Sequence, residues 1–440
     1  MTIEDQADAS VAEWTARAEA VIPGGVNSGR RRIDGGFVIN GGSGAYLRGA
    51  DGRRYLDFSG GASTAILGHG AAQVARALSR AADGPQLTGM GVTPGEVMLA
   101  EKLVDAMPSV EQVVLTNGGS DATYFAARLA RHVTGRSHLI TIRGGYDGWH
   151  DAVLFDGDGA STSGQTRGVL GAVRDLTHLC LYNDLEGMRA EFLRHPDSIA
   201  AVIMEPVAHN NGPTILPQPG YLAGVRDLCD EFGALLVFDE VITGFRHALG
   251  GYQEISGVMP DLTTAGKSLA NGMPIGMIGG ARCLMEEFTT APRGEVMLGG
   301  TYFGNAASVA AAIATLDALT EPDTYERLYA LGARMRSGLT EIANGLGVEA
   351  QVAGLGSIFT FWPGPGPLLD HRDVARGNVP LFRSYRLEGL KRGVLEKPDI
   401  DGARSAISLA HTERDIDHAL EVAAEALPAA LSRCAVAGAE

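Results

Sequence analysis

The amino-acid sequence contains a lysine in an unusual setting at position 267. Lys267 follows the segment PDLTTAG and is followed shortly by NGMPIG, so it lies near the end of a strand among glycines. A lysine in tight, mostly apolar surroundings can act as a nucleophile toward a carbonyl group, although most lysines are solvated surface residues. The triplet 266–268 also resembles the end of a nucleotide-binding P-loop. That motif needs a glycine where this chain has Asp261, so a nucleoside triphosphate site is not expected.

Carboxylates follow two apolar runs farther toward the N-terminus. The run 234–238 leads into Asp239 and Glu240, and Glu205 follows the run 199–204. Open α/β sheets bind their ligands at the carboxyl ends of strands. A carboxylate there can receive a metal ion, a ribose hydroxyl or a protonated ring nitrogen. For either stretch alone, a solvated or helix-capping carboxylate is an equally good interpretation.

Two glycine-rich turns offer further binding groups. The apolar run 112–116 leads into Asn-Gly-Gly-Ser at 117–120 and then into a helical pattern. Glycines allow close approach of the backbone, and the first turn of a helix offers N–H groups that bind phosphate. A plain strand–turn–helix connection has the same pattern. The second turn places Tyr146 among glycines within 144–148, where a core tyrosine is the simpler interpretation.

The four features together predict a site for pyridoxal 5′-phosphate. The phosphate of this cofactor needs N–H donors and its ring needs a stacking face. Its pyridine nitrogen needs an acid partner, and its aldehyde needs an amine. The phosphate turn, Tyr146, Asp239 and Lys267 supply these groups in that order along the chain.

The elements that must position these residues form an α/β pattern. Between about residues 70 and 320, short apolar runs alternate with helical stretches, which predicts a mostly parallel central sheet sandwiched by helices. The runs are 113–115, 139–142, 199–204, 235–238 and 275–278.

Both ends of the chain have a different pattern. Residues 10–22 have helical spacing, and 42–58 indicate a β-hairpin. Thr412-Glu-Arg-Asp has capping-box spacing before a helix, with aspartate in place of the usual glutamate or glutamine. We expect an N-terminal segment (1–69), a large cofactor-binding α/β domain (70–320) and a C-terminal α+β domain (321–440), with both chain ends building the smaller domain.

The composition excludes several classes of function. The 440 residues carry 36 Lys+Arg and 52 Asp+Glu, a formal net charge of −16, which argues against nucleic-acid and membrane surfaces. Hydrophobic residues make up 45%, so the 60 glycines belong to turns and sites rather than to a disordered chain. The four cysteines are widely spaced without a CxxC pair, which favours free thiols, and no metal site is expected. The start, MTIEDQADAS, is too polar for a signal peptide, so we expect a cytoplasmic protein.

The ordered series of motifs resembles the class III pyridoxal-phosphate aminotransferases, which have fold type I. Within them it resembles the branch of glutamate-1-semialdehyde 2,1-aminomutase and related β-amino-acid aminotransferases. The resemblance extends over about residues 21–427. Its most specific segments are PGGVNS (23–28), the hairpin ending in YLDF, LGH (67–69), TNGGSDA, DEVITGFR (239–246), PDLTTAGK (260–267), GGTYFGN (299–305) and SLAHTERDI (408–416).

The resemblance implies a role for each matching residue. Lys267 matches the lysine that holds the cofactor aldehyde as an imine, and Asp239 matches the partner of the pyridine nitrogen. Val241 and Tyr146 match the residues on the two faces of the ring. The remaining matches are Gly119 and Ser120 in the phosphate turn, Asn210 as a donor to the ring hydroxyl, and Thr301 as a threonine that reaches the phosphate of the neighbouring subunit, which implies a homodimer.

The substrate-binding residues are less well defined by the resemblance. Residues 27–32 match the segment that carries the substrate-carboxylate arginine in the aminomutase. Arg31 aligns best, and Arg30 and Arg32 remain alternatives. Ala62 replaces a tryptophan of the aminomutase, which suggests a larger cavity near the cofactor.

Two further departures concern charged residues. Gly402-Ala403-Arg404 stands where the aminomutase has a Phe-Glu pair, and Asp147 replaces the histidine of the usual Tyr-His-Gly. The cofactor set is thus intact and the aminomutase substrate set is not. The sequence predicts an aminotransferase that moves an amino group from an amino acid, with β- or ω-amino acids favoured, to a 2-oxo acid in ping-pong half-reactions. The aminomutase is the alternative, and a protein with a degenerate site is disfavoured because Lys267 and Asp239 are present.

Overall fold

The computed structural model describes residues 10–33, 35–154, 168–210, 212–398 and 403–437. Residues 1–9, which contribute to the expectation that no signal peptide is present, lie outside the described residues, as does Gly402. Within the described ranges, every helix is too short or too polar to cross a membrane.

Fourteen strands occur in the described part of the chain. They are β1 (Ile39–Ser43), β2 (Tyr46–Gly49), β3 (Arg54–Asp57), β4 (Gln112–Thr116), β5 (His138–Ile142), β6 (Thr177–Cys180), β7 (Ile199–Met204), β8 (Leu235–Glu240), β9 (Leu262–Ala265), β10 (Gly276–Gly280), β11 (Ala350–Ala353), β12 (Ile358–Pro363), β13 (Val394–Leu395) and β14 (Ser405–Ala406).

Helices connect and cover these strands. They are α1 (Val11–Val21), α2 (Gly60–Ser63), α3 (Ala72–Ala81), α4 (Pro94–Ala106), α5 (Gly119–Thr134), α6 (Gly171–Arg174), α7 (Leu185–Arg194), α8 (Tyr221–Phe232), α9 (Gly251–Ser256), α10 (Arg282–Met285), α11 (Ala306–Leu319), α12 (Thr324–Gly345), α13 (His371–Val374), α14 (Val379–Lys391) and α15 (Glu413–Ala437). Short 3₁₀ turns occur at Pro23–Gly25, Gly29–Arg31 and Lys267–Ala270.

The central sheet has the order β4-β10-β9-β8-β7-β5-β6 among the described residues. Its strands are parallel except β10, which runs antiparallel to both β4 and β9. All six residues of β7 are buried, as expected for a strand covered on both faces. Helix α5 packs against β7, β9 and β10, whereas α7 packs on β6 and α8 on β8. The predicted α/β class with a mostly parallel sheet is confirmed.

The two ends of the chain share a second, smaller sheet. The order is β1-β2-β3-β13, and β13 from the C-terminal region pairs in parallel with β3. The expected hairpin is formed by β2 and β3. Phe58 from the N-terminal region lies in one core cluster with Phe359 and Ile416 from the C-terminal region. The domain boundaries that we expect from the sequence stay a prediction.

Candidate active site

A cavity of about 280 Å³ lies at the carboxyl ends of the central strands. The parallel strands β7 and β8 end here and bring Glu205 and Asp239 to its wall. Lys267 lines the same cavity, because it follows β9 directly. The topology thus brings together three side chains that the sequence separates by many residues.

Lys267 begins the 3₁₀ turn after β9 and has a positive φ of 37°. Its side chain is partly buried, and desolvation lowers the pKa of its amine to about 7. Arg404 and Arg30 lower the pKa further by repulsion, whereas Asp239 and Glu205 oppose them. Near neutral pH, a large fraction of this amine is therefore uncharged, the form in which lysine acts as a nucleophile and base.

Asp239 is buried at the end of β8 and is held by two hydrogen bonds. Its Oδ1 accepts from the Val241 backbone N–H at 2.9 Å and from the Thr264 hydroxyl at 3.2 Å. Burial raises the pKa of Asp239 to about 6, against these hydrogen bonds and the charge of Lys267. The result is an oriented carboxylate of the kind that can hold a proton on a ring nitrogen.

Asp147 is a second buried carboxyl group, packed against Asp239. Burial, followed by repulsion from Asp239 and Glu205, raises the pKa of Asp147 well above its ordinary value. Asp147 therefore holds the proton of this pair and donates a hydrogen bond to Asp239, which lowers the pKa of Asp239. The sequence marked Asp147 only as a replacement for histidine, and nothing in the local pattern indicated this contact.

The glycine turn before α5 forms a narrow cradle. Gly119 and Ser120 line the cavity at the first turn of α5, where backbone N–H groups have no acceptor within the helix. A Cβ atom on Gly119 would lie 2.5 Å from the Val241 side chain, and one on Gly276 would lie 2.5 Å from the Gly118 backbone. Only glycine fits this approach of β10 to the turn, and the resulting donor set fits a phosphate.

Tyr146, Asn210 and Glu205 form a hydrogen-bonded group on the cavity wall. The Asn210 amide donates to the Tyr146 carbonyl at 3.3 Å and to Glu205 Oε1 at 3.1 Å. The Asn210 backbone N–H donates to Glu205 Oε2 at 3.1 Å. Burial raises the pKa of Glu205 to about 7. Tyr146 and Val241 both line the cavity, so a ring face and an apolar side chain are available to a planar ligand.

Arg404 lies behind Asn210 and is 8% exposed. Its Nη1 donates to Asn210 Oδ1 at 3.0 Å, and its Nε donates to the Ser63 hydroxyl at 3.2 Å. Burial lowers the pKa of Arg404 to about 10, which leaves it charged at neutral pH. The sequence comparison identified the loss of a carboxylate at 402–404 but assigned no role to Arg404. The arginine at that position was the signal that could have identified it.

The three candidate arginines are in two different places. The Arg30 guanidinium lies 4.4 Å from the centre of the Tyr146 ring. Arg31 and Arg32 are exposed and line a separate cavity beside α1. Arg30 is thus the arginine of this segment that contacts the wall of the central cavity.

Two other predicted site residues lie outside the cavity wall. Ala62 is exposed and has a left-handed φ of 62°, although its neighbour Thr64 lines the cavity. Thr301 is exposed and, within the described part of this one chain, does not line the cavity. The roles inferred for Ala62 and Thr301 stay predictions.

The residues present fit pyridoxal 5′-phosphate. The glycine cradle matches its phosphate, Tyr146 and Val241 its ring faces, Asp239 its ring nitrogen and Lys267 its aldehyde. Of the predicted cofactor residues, these and Asn210 line one cavity, and Thr301 does not.

Comparison with known proteins gives consistent matches. The family model for class-III aminotransferases matches residues 29–366. The glutamate-1-semialdehyde 2,1-aminomutase of Desulforudis audaxviator is 42% identical over 434 residues, 96% of this chain and 98% of that protein. The structure is similar to an omega-transaminase from Sphaerobacter thermophilus (TM-score 0.89, 28% identity, covering 98% of this chain and 100% of that one). It is also similar to a β-phenylalanine aminotransferase from Variovorax paradoxus (TM-score 0.85, 30% identity, covering 94% of this chain and 92% of that one).

Proposed function

The chain belongs to the class III aminotransferases, enzymes that use pyridoxal phosphate, and we propose that it transfers the amino group of a β- or ω-amino acid to a 2-oxo acid. Two of the structures that it matches are named as an omega-transaminase and a β-phenylalanine aminotransferase. The relative at 42% identity is named as an aminomutase, which makes glutamate-1-semialdehyde 2,1-aminomutase the second candidate.

We assign the residues that hold the cofactor from their places on the cavity wall. The N–H groups of Gly119 and Ser120 would bind its phosphate, and Asp239 would hold the proton on its ring nitrogen. Tyr146 and Val241 would serve its ring, and the Asn210 amide lies within the same cavity wall. When bound, pyridoxal phosphate withdraws electrons from the carbon that carries the substrate amino group and makes its proton acidic.

Lys267 moves that proton. Its amine lines the cavity and has a pKa near 7, so it accepts a proton near neutral pH and also releases it. Asp239 Oδ1 is fixed by Val241 and Thr264. Its negative charge would keep the ring nitrogen of the bound cofactor protonated during the transfer. Both residues sit on adjacent strand ends, which fixes their relative positions.

The proposal rests on the position of Arg404 near Lys267. Together with Arg30 it places two guanidinium groups around Lys267, and both lower the pKa of that lysine. The two groups are linked through Tyr146 and Asn210, since Arg30 stacks on one and Arg404 binds the other. Two cations suit an enzyme that binds an amino-acid carboxylate and a dicarboxylic 2-oxo acid in turn. Rearrangement of one monocarboxylic substrate needs a single carboxylate site.

We also propose that the enzyme is a homodimer. Thr301 and its neighbour Tyr302 are exposed, Tyr302 by 62%, and the resemblance places this threonine at the phosphate of the partner's site. Analytical ultracentrifugation tests the dimer, and a Thr301→Ala variant tests the contact through weaker retention of the cofactor. The cytoplasmic location expected from the sequence stays a prediction.

The test separates the two candidate activities with one holoenzyme preparation. β-Alanine, a β-aryl-β-amino acid and glutamate are mixed singly with the enzyme while the absorption of the bound cofactor is followed, and 2-oxoglutarate is then added. We expect donor-dependent bleaching that the oxo acid reverses. Glutamate 1-semialdehyde is supplied without any acceptor in parallel. Its turnover to 5-aminolevulinate, without bleaching by any β-amino acid, would establish the aminomutase instead.

A control variant tests the site assignment independently. Lys267→Ala should lose the visible absorption of cofactor joined to Lys267. It should also lose turnover with every substrate, whichever of the two candidate activities is correct. Retention of an unchanged spectrum would mean that another lysine holds the cofactor.

A further inference from the structure

Three histidines from distant parts of the chain meet at the far end of the central sheet. His138 begins β5, His178 lies in β6, and His195 follows α7 directly. His178 pairs with Ile140 across parallel strands. Since alternate residues of a strand share one face, the side chains of His138 and His178 lie on the same face of the sheet.

This cluster is remote from the cofactor cavity. His138 pairs with Ile199, the first residue of β7, whereas Glu205 at the cavity follows the last residue of that strand. His138 and His178 thus lie near the amino ends of their strands, on the opposite edge of the sheet from the cavity. Amino-group transfer gives these residues no role.

The imidazoles are close enough to share one ligand. His138 Nδ1 and His178 Nε2 are 2.9 Å apart, and the stacked rings of His178 and His195 have centres 4.0 Å apart. One ring nitrogen from each of the three lies within 4.8 Å of the others. Zinc binds imidazole nitrogens at about 2.0–2.1 Å, which places tetrahedral ligands about 3.4 Å apart. Small side-chain rotations therefore suffice to enclose an ion.

A carboxylate supports the cluster from the last turn of α7. Glu191 Oε2 lies 3.9 Å from His178 Nδ1 and 3.8 Å from His195 Nε2. His178 thus directs one ring nitrogen to His138 and the other toward a carboxylate. This is how metal-binding histidines are commonly oriented. Glu191 is also paired with Arg194, which fixes the carboxylate on the helix.

The protonation state of the imidazoles favours metal binding. Burial, followed by repulsion from His195 and His138, lowers the pKa of His178 to about 4. Burial and His195 also lower the pKa of His138. Neutral imidazole offers the nitrogen lone pair that a metal ion requires.

We propose that His138, His178 and His195 bind one divalent transition-metal ion of the zinc class, with water in the remaining position. Three neutral nitrogen donors select such ions over calcium or magnesium, which prefer oxygen. The ion joins the edge strand β6 to β5 and to the end of α7, so its role is structural. No local pattern indicates this site, because His138 and His178 are 40 residues apart and no spacing motif links the three histidines.

Zinc titration of the full-length holoenzyme tests the proposal. The protein carries no histidine tag, is treated with a chelator, and contains Cys283→Ser, because Cys283 is an exposed free thiol and thiolates are zinc ligands. Isothermal titration calorimetry should give one zinc ion per chain, and bound zinc should raise the melting temperature. His178→Gln and His195→Gln should each weaken binding at least tenfold and abolish the shift in melting temperature.

His418→Gln is the matched control, because His418 is exposed and lies 3.8 Å from a glutamate, Glu421. It should bind zinc as the parent does. Retained absorption of the bound cofactor shows that each variant is folded. Absence of saturable zinc binding to the parent would overturn the proposal and leave a hydrogen-bonded histidine cluster. Parent-like affinity in both His178→Gln and His195→Gln would overturn it as well.

Discussion

The Arg30 guanidinium stacks on the ring of Tyr146, with 4.4 Å between its central carbon and the ring centre. This contact joins the N-terminal segment to the wall of the cofactor cavity. A guanidinium over an aromatic face keeps its N–H donors available at its edge. Arg30 is therefore placed to bind a substrate carboxylate beside the tyrosine ring that we assign to the cofactor.

We predict that Arg30→Ala raises the KM for the amino donor at least tenfold, because it removes one charge-assisted hydrogen bond to the donor carboxylate. Arg31→Ala is the matched change, since Arg31 lines a separate cavity, and it should alter the KM less than twofold. Steady-state kinetics with one donor measures both. The reverse ranking would return the role to Arg31, the residue that the sequence resemblance favoured.

The pair of Asp147 and Asp239 predicts a pH effect on activity. Asp147 donates to Asp239 and lowers its pKa. Asp147→Ala removes this hydrogen bond, so the pKa of Asp239 should rise. The acidic limb of the pH profile for the half-reaction with the amino acid should therefore move to higher pH. Asp147→Asn keeps a donor, and its limb should stay in place with kcat within about threefold. Equal profiles for all three proteins would show that Asp147 does not act through Asp239.

The same residue predicts a pH effect on stability. The folded-state pKa of Asp147 is raised, so the folded protein keeps a proton that the unfolded chain loses above about pH 4. Wild-type stability therefore decreases as pH rises from about 4 toward the folded-state pKa, and Asp147→Asn lacks this loss. We expect the gain in melting temperature of Asp147→Asn over wild type to increase between pH 4 and 7. A constant difference across that range would contradict a buried, protonated Asp147.

Arg404 should serve the acceptor half-reaction. We predict that Arg404→Gln raises the KM for 2-oxoglutarate at least tenfold, equivalent to about 1.5–3 kcal/mol for a hydrogen bond to a charged group. The donor half-reaction should change less than threefold. Ser63→Ala removes one hydrogen bond to Arg404 but keeps its charge, and it should affect neither half-reaction strongly. Equal losses in both half-reactions would show that Arg404 acts only by holding Asn210.

Substitution of Gly276 tests how closely β10 packs against the phosphate turn. In Gly276→Ala the new Cβ would lie 2.5 Å from the Gly118 backbone, so the turn must move, and we expect the cofactor Kd to rise at least tenfold. Gly345→Ala is a control, because nothing lies within 4 Å of a Cβ there. Fluorescence titration of the cofactor-free proteins measures both constants. An unchanged Kd in Gly276→Ala would show that the turn adapts without loss of phosphate binding.

Much of the central sheet could be predicted because its strands are apolar. β7 and β8 match the expected runs, whereas β6 (THLC) includes polar residues and was not among them. β9 (LTTA) was expected only as the strand end before Lys267. The direction of β10 could not be predicted, since an apolar run does not encode strand polarity. The capping box is present as expected, with Thr412 and Asp415 bonded to each other.

Some residues of the candidate site could be predicted from the sequence and others could not. Lys267, Asp239 and the glycine turn follow strands and have local signals, so the sequence identifies them. Arg404 contacts Asn210, and Asp147 contacts Asp239, in each case a residue far away in the sequence. Such contacts depend on how strands are ordered in space, which no single stretch contains.

The reversed strand β10 has a mechanical consequence for the enzyme. It lies between β9, which leads to Lys267, and β4, which leads to the phosphate turn, and it is hydrogen-bonded to both. The strands that lead to Lys267 and to the phosphate turn are therefore held in one hydrogen-bonded unit, with β10 as their shared partner. Substrate entry and product release must then rely on motion outside this three-stranded unit, which contains neither Arg30 nor Arg404.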